Sequence, residues 1–243
     1  MFLKMPKTST LAVMLVAAIS AIAAPSASAY SPAQLLNDSL QVGDVPTSFF
    51  VNKPKQRATS YLEQPNTKRF DMCVDKGGNK LFGLAPAQQA NSAILLYQQE
   101  SGNAISAIRA VASDIYGYPN TAKAKAAWKA LLAAKKRCAP KASITAPSQG
   151  VSVDMKVTQQ LKTSKTSGGI PGYTIDQKIV IAAGENGLST WIDIFSAYRM
   201  VDATIVRTQF ANNTTISLAK SKLTASWRNF TDAEALRIAR RLR

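Results

Sequence analysis

The chain has 243 residues and a formal net charge of +16, with no histidine and two cysteines. A chain of this length can bury a large core, in one domain or in two small ones. The absence of histidine excludes the usual Ser-His-Asp and Cys-His catalytic groups and removes the commonest transition-metal ligand. Two cysteines are too few for a structural zinc site. We therefore expect a protein that is not an enzyme and that holds no metal or cofactor.

The first 29 residues have the pattern of a secretory signal peptide. Two lysines precede an uncharged apolar run over 11–24, and the small residues ASA at 27–29 form a cleavage site. The run is shorter than the roughly 20 residues that a transmembrane helix needs, although an uncleaved anchor is the alternative. We expect residues 30–243 to be exported, to fold as a single domain, and to reside outside the cell or in the cell envelope.

In chain order, the first elements are a short helix, a turn and a hairpin. Residues 31–42 predict the helix, and GDVP at 43–46 predicts the turn that follows. A second, glycine-containing turn is predicted at 75–80. The stretch 92–118 suits either a helix or two strands, and its β-branched residues and its IYGYPN ending favour a hairpin.

Residues 121–138 predict a helix with two different faces. Asn120 or Thr121 can cap its start, just after a proline. At 100° per residue, one face collects the side chains Ala124, Ala127, Trp128, Leu131, Ala134 and Cys138. The opposite face collects Lys125, Lys129 and Lys136. The first face is expected to pack in the core, and the lysines either contact an anion or simply face solvent.

The two cysteines predict a disulfide bond. Cys73 and Cys138 are an even pair in a chain that is expected to be exported to an oxidising compartment. The alternative is a reactive thiol at Cys138, which follows three basic residues. This position is the C-terminal end of the helix, where the macrodipole opposes a thiolate, and no histidine can act as its base. The bridge would stabilise the fold by about 4 kcal/mol in the chain-entropy view.

The second half predicts an antiparallel meander and then helices. Alternating apolar and polar residues indicate four strands, at 151–162, 173–183, 188–198 and 203–210. The segment 163–172, rich in serine and glycine, is expected to be a loop. A capping-box pattern at 231–234 is expected to open the last helix, and 214–229 is also expected to be helical. The predicted class is α+β, an antiparallel sheet with packed helices and one intrachain disulfide.

No motif in the sequence fixes a reaction. The acidic residues are scattered and their spacing sets no pair across a cleft, and no nucleophile motif surrounds any serine. The basic stretch 123–141 lacks the interleaved aromatic residues of a single-strand nucleic-acid platform, so no nucleic-acid partner is expected. An acidic wall polymer or a membrane surface is the partner class that its charge favours.

Four of these segments resemble a known family. GDVP at 43–46, FDMC at 70–73, IYGYPNTAKAKAAWKALLAAKKRC at 115–138 and IDIFSAYRMVDATIVRTQF at 192–210 are similar to the extracellular sensor domain of the actinobacterial serine/threonine kinase PknH and its secreted relatives. The resemblance implies helices packed on an antiparallel sheet, a bridge between the two cysteines, and a cleft for an unidentified extracellular ligand.

The chain departs from the kinase sensor because it lacks the cysteines of a second disulfide and carries no kinase domain. The expected function is therefore a secreted, non-catalytic, sensor-like domain that binds a small or envelope-derived ligand in a cleft, whose residues the sequence does not identify. The alternative is a basic envelope protein that adheres to anionic wall polymer or lipid through Lys125, Lys129 and Lys136.

Overall fold

The computed structural model describes residues 30–46, 71–99, 105–148, 151–181, 190–214 and 225–243. The helices in these ranges are α1 (Pro32–Asp38), α2 (Thr121–Ala134) and α3 (Ala225–Arg241), and a short 3₁₀ turn spans Val42–Asp44. The strands are β1 (Asp71–Val74), β2 (Lys80–Phe82), β3 (Gln88–Gln99), β4 (Ile105–Gly117), β5 (Lys141–Ser148), β6 (Val151–Ser167), β7 (Ile170–Ile181), β8 (Thr190–Val201) and β9 (Thr204–Thr214). The chain is therefore α+β, with an antiparallel sheet as its largest part.

Seven strands form one sheet in the order β3-β4-β9-β8-β7-β6-β5. Strands β5 to β9 are a meander, since each pairs antiparallel with the next along the chain. The hairpin of β3 and β4 joins this meander at β9, through pairs from Ala107↔Thr214 to Gly117↔Thr204. The strands β1 and β2 form a separate hairpin. The sheet is thus larger than the four-stranded meander that the sequence predicts.

The two faces of the sheet are covered by different elements. Helices α1 and α3 pack on one face, over a core that includes Val111, Ile115, Val206, Phe210 and Ile238. Helix α2 and the β1–β2 hairpin pack on the other face, over a core that includes Tyr116, Tyr173, Tyr198 and Ile205. The alternation of side chains along β9 sends Ile205 and Val206 to opposite faces, so a single strand supplies both cores.

The disulfide and the start of helix α2 match their predictions, but the helix ends at Ala134 and does not reach 138. Asn120 caps the helix by accepting a hydrogen bond from the Lys123 backbone N–H at 2.9 Å. The predicted apolar face is buried, and Cys138 lies in the turn just after the helix, where it forms a disulfide with Cys73 across a Cα–Cα distance of 5.7 Å. Because the bond joins α2 to β1, it holds the β1–β2 hairpin against the sheet.

The expected loop at 163–172 is wrong. Strand β6 continues to Ser167 and β7 starts at Ile170, so only Gly168 and Gly169, both at positive φ, form the turn. The polar composition suggested a loop, but the pairing of β6 with β7 and the burial of Tyr173 continue the strands through it.

The expected start of the last helix at 231 is also wrong. Helix α3 begins at Ala225, and the Thr231 hydroxyl donates a hydrogen bond to the Trp227 carbonyl inside the helix, at 2.8 Å. The Trp227 ring stacks on Phe210 with centroids 4.0 Å apart. This contact explains why the helix extends one and a half turns before the capping-box pattern.

Several sequence predictions lie outside the described residues. They are the signal segment 1–29, the turn at 184–187 and, of the helix expected over 214–229, the part 215–224; residues 225–229 are helical, as expected, and Thr214 ends β9. None of the helices in the described ranges is long and apolar enough to cross a membrane.

Candidate functional site

A cleft of 340 Å³ lies on the face of the sheet that also carries α2. Its floor is formed by side chains of five neighbouring strands, from β5 to β9, and one wall is formed by Cys73 and Val74 of β1 and Lys80 of β2. This volume is within the range of small-molecule sites, roughly 300–1,000 Å³. The position follows from the fold, because the β1–β2 hairpin stands on the sheet and leaves part of the same face uncovered.

One part of the floor is apolar. Ile144, Met155, Val157, Ile179 and Ile194 line it. Val157 is buried and the other four are partly exposed. These side chains share one face because every second side chain of a strand points to the same face of the sheet. Partly exposed aliphatic side chains in a concave surface favour contact with an apolar group of a ligand.

The rest of the floor is polar. Gln177, Ser196, Arg207 and Gln209 line the cleft on strands β7 to β9. Arg207 lies directly opposite Asp114 in the pairing of β4 with β9, so the two side chains share one face of the sheet. The cleft thus changes from apolar to polar across its width.

Arg207 is held by a buried carboxylate. Its Nε donates to Asp114 Oδ2 at 2.7 Å, and its Nη2 lies 2.6 Å from the same oxygen. Asp114 Oδ1 accepts hydrogen bonds from Asn91 Nδ2 at 2.7 Å and from Gln89 Nε2 at 3.2 Å. The carboxylate is only 2 % exposed, and this set of donors compensates the cost of burying its charge.

The same pair keeps Arg207 charged. Burial opposes the positive charge of the guanidinium, but the charge and hydrogen bond of Asp114 together with Tyr116 and Tyr198 outweigh it, so the pKa of Arg207 lies above its ordinary value. Arg207 therefore presents a cation to the cleft at every pH at which the protein is folded.

The wall of the cleft is fixed by a buried amide. Gln159 accepts a hydrogen bond from the Val74 backbone N–H at 3.2 Å, and its Nε2 donates to the carbonyl oxygens of Val74 and Ala139. These bonds attach β1 to β6 in the same region as the disulfide. At the hairpin turn, Gly78 has a φ of +80° and a Cβ there would lie 2.6 Å from the Ser143 carbonyl oxygen. Only glycine allows this close approach.

A second basic feature lies outside the cleft. Lys125 and Lys129 are exposed on α2, Lys136 is exposed in the turn after it, and none of the three lines the cleft. An open depression of 660 Å³ at the β5 edge is lined by three other lysines: Lys76, Lys141 and Lys156. The structure therefore does not bring the predicted anion-contacting lysines into the cleft.

The depression and the end of α2 are close in space. Hydrogen bonds from Asn79 lower the pKa of Asp75, and the charge of Arg137, just after α2, contributes to the same effect. Asp75 is the residue before Lys76, so the cations that follow α2 and those of the depression belong to one basic region. Its extent could not be predicted from the sequence, because it depends on how the hairpin packs.

Sequence reasoning identified the disulfide at the cleft wall but none of the other lining residues. Arg207 was a basic residue in a predicted strand, and its partner Asp114 lay in a stretch that suited a helix as well as a strand. The only available signal was the alternation of β6 and β7, which puts Val157 and Ile179 on one side of their strands. Within the described ranges, no cluster of three or more metal-binding side chains occurs.

Comparisons with protein-family models, with curated proteins and with solved structures find no match to this chain.

Proposed function

We propose that the protein is a secreted, non-catalytic, sensor-like domain that binds a small extracellular or envelope-derived ligand in the cleft between the β1–β2 hairpin and the sheet. The observation that carries this proposal is the cleft itself, with an apolar floor beside a fixed, charged Arg207. Binding sites for small molecules combine these features, a largely apolar concave surface and a few oriented polar groups.

Three further points support the proposal. The disulfide and Gln159 fix the cleft wall, so a ligand would meet a site that is already formed. An intrachain disulfide suits the exported chain that the signal-peptide pattern predicts. The resemblance to the PknH sensor domain points to the same class of protein, with a single domain over residues 30–243.

The test is recovery of the ligand from the secreted protein. The protein is purified from culture medium without detergent, and the extracted small molecules are identified by mass spectrometry. The Ile194→Trp variant fills the cleft floor, and Leu132→Trp, which adds the same ring on the exposed side of α2, is its control. We expect one compound to be enriched with wild type and with Leu132→Trp but lost from Ile194→Trp. A compound retained equally by all three proteins would refute binding in the cleft.

A second candidate function is adhesion to an anionic wall polymer or lipid surface. The specific observation that favours it is that Arg137, in the turn after α2, acts on Asp75 beside the depression lined by Lys76, Lys141 and Lys156. A surface of this kind attracts anionic polymers and headgroups through charge, and salt screens the attraction.

Sedimentation with purified wall polymer and with anionic vesicles tests this candidate. Replacing Lys125, Lys129 and Lys136 together by glutamine should reduce binding at low salt, whereas replacing all three by arginine, which preserves the charge, should not. Binding that is unchanged in 1 M salt would rule out the electrostatic mechanism, since charges on the surface are screened within roughly 3 Å there.

A further inference from the structure

The charges around the cleft have one sign. Arg207 and Lys80 line it, and no acidic side chain is among the described residues that do so. Asp114 lies behind Arg207, away from the lining, and its two oxygens are occupied by Arg207, Asn91 and Gln89. The cleft therefore favours a ligand with negative charge.

The guanidinium of Arg207 is oriented before any ligand arrives. Two of its nitrogens, Nε and Nη2, are held by Asp114, and the side chain is 17 % exposed. A guanidinium fixed in this way loses little rotamer freedom when it binds an oxyanion, so more of the interaction energy remains as affinity.

The apolar floor begins beyond Ser196 and Gln209, because Arg207 is opposite Tyr198 and Ile194 lies four residues farther along β8. Ile194 and Ser196 lie on β8, and the aliphatic surface continues through Ile179 on β7 to Val157 and Met155 on β6. The volume of 340 Å³ is at the lower end of the range of small-molecule sites, roughly 300–1,000 Å³. A site of this size suits a single acyl chain with a small head group, and the open end can leave a longer tail in solvent.

We propose that the cleft binds a single-chain amphiphile, with its anionic head group at Arg207 and its apolar tail along Ile194, Ile179 and Val157. This assignment rests on the proposed function and specifies the class of ligand. Carboxylate and phosphate head groups share the required chemistry, and the test separates them.

Isothermal titration calorimetry with matched probes tests the assignment. Decanoate supplies the chain and a carboxylate, decyl phosphate supplies the chain and a phosphate, decanol has the chain without charge, and decyltrimethylammonium has the chain with the opposite charge. All are used below the concentration at which they aggregate. We expect at least one anion to bind about tenfold more tightly than decanol, since a hydrogen bond to a charged group is worth roughly that factor. The cation should bind more weakly than decanol.

Two variants assign the parts of the ligand to residues. In the double variant Asp114→Asn with Arg207→Gln, both charges are removed together, so no buried charge is left without a partner. We expect it to bind the preferred anion and decanol equally. In Ile194→Trp, which fills the floor, all probes should bind weakly, whereas Leu132→Trp should behave as wild type. A thermal unfolding curve shows which variants fold, and the probe comparison on wild type needs none of them.

The outcomes distinguish this inference from the proposed function. An anion preference that disappears in the double variant supports the assignment. Equal binding of decanol and both anions overturns the role of Arg207, and so does an anion preference that survives in the double variant. In either case the cleft remains the binding site if Ile194→Trp no longer binds the probes. No binding of any probe overturns the amphiphile assignment, and the ligand-recovery experiment then decides the cleft independently.

Discussion

At the scale of single residues, the tightest constraint in the described chain is the absence of a side chain at Gly172. A Cβ built there would lie 1.9 Å from Ser164 Oγ and 2.3 Å from Arg199 Nη1. The Arg199 guanidinium passes over this glycine and pairs with Asp232 at 2.8 Å, which links β8 to α3. Gly172→Ala should therefore destabilise the protein by about 1–3 kcal/mol through overpacking, measured by denaturant unfolding.

Gly43 provides the matched control for this prediction. A Cβ there would meet no atom within 4 Å, and its φ is not positive, so Gly43→Ala should change stability far less. If the two alanine variants unfold at the same denaturant concentration, the close packing of Arg199 over Gly172 does not constrain the fold.

At the scale of elements, the attachment of β1 to the sheet depends on Gln159. Its side-chain amide bonds to both backbone groups of Val74 and to the Ala139 carbonyl, and the residue is buried. Gln159→Leu would remove the partners of the Val74 N–H and the Ala139 carbonyl, at about 1–3 kcal/mol for each buried group, whereas the Val74 carbonyl keeps its hydrogen bond from the Ala139 N–H. We expect the free energy of unfolding to fall by roughly 2–5 kcal/mol. Hydrogen exchange at the Val74 amide should become faster, whereas the exchange rates of β8 and β9 amides should not change.

The adjacent Gln160 is exposed, so Gln160→Leu should leave both the stability and the Val74 exchange rate near their wild-type values. Equal exchange at Val74 in the two variants would show that Gln159 does not hold β1 in place.

The elements differ in how well local sequence predicts them. The helix α2 is predictable because one strong period places Trp128 and Leu131 in the core and the lysines in solvent. Helix α3 is not, because its start depends on Trp227 stacking on Phe210 of β9, a contact that no local pattern contains. The same reason applies to the segment 163–172, where pairing between strands outweighs a composition typical of loops.

At the scale of the whole molecule, the candidate site depends on contacts between distant parts of the chain. The pairing of β4 with β9 places Asp114 opposite Arg207, and the disulfide brings Cys73 to the end of α2. The cysteine pair could be predicted, because two cysteines allow only one intrachain bridge. The acid–base pair could not, because 14 acidic and 30 basic residues allow many pairings and the sequence does not specify which strands are neighbours.

The two ends of the described chain are joined by a charge network that makes stability depend on pH. Asp44, after α1, pairs with Arg237 and Arg241 of α3, and Arg237 also pairs with the buried Glu234. Burial raises the pKa of Glu234 above its ordinary 4.5, and the hydrogen bonds and charge of Arg237 only partly offset this. The native state therefore binds this proton more tightly than the unfolded chain does. By linkage, the contribution of Glu234 to the free energy of unfolding falls as pH rises from 4.5 through the folded-state pKa.

The variant Glu234→Gln resembles the protonated side chain at every pH, so its stability relative to wild type should increase as pH rises through this window. Urea unfolding between about pH 2 and pH 8 measures the difference for this variant and for its control. Asp75→Asn is a control in which stability should depend on pH in the opposite direction, because hydrogen bonds from Asn79 lower the pKa of Asp75 below its ordinary 3.8. That carboxylate stabilises the fold above pH 3.8, and the effect is lost as pH falls through the folded-state pKa. A difference between Glu234→Gln and wild type that is constant with pH would show that Glu234 binds its proton equally in the native and unfolded states, and would refute the role of burial.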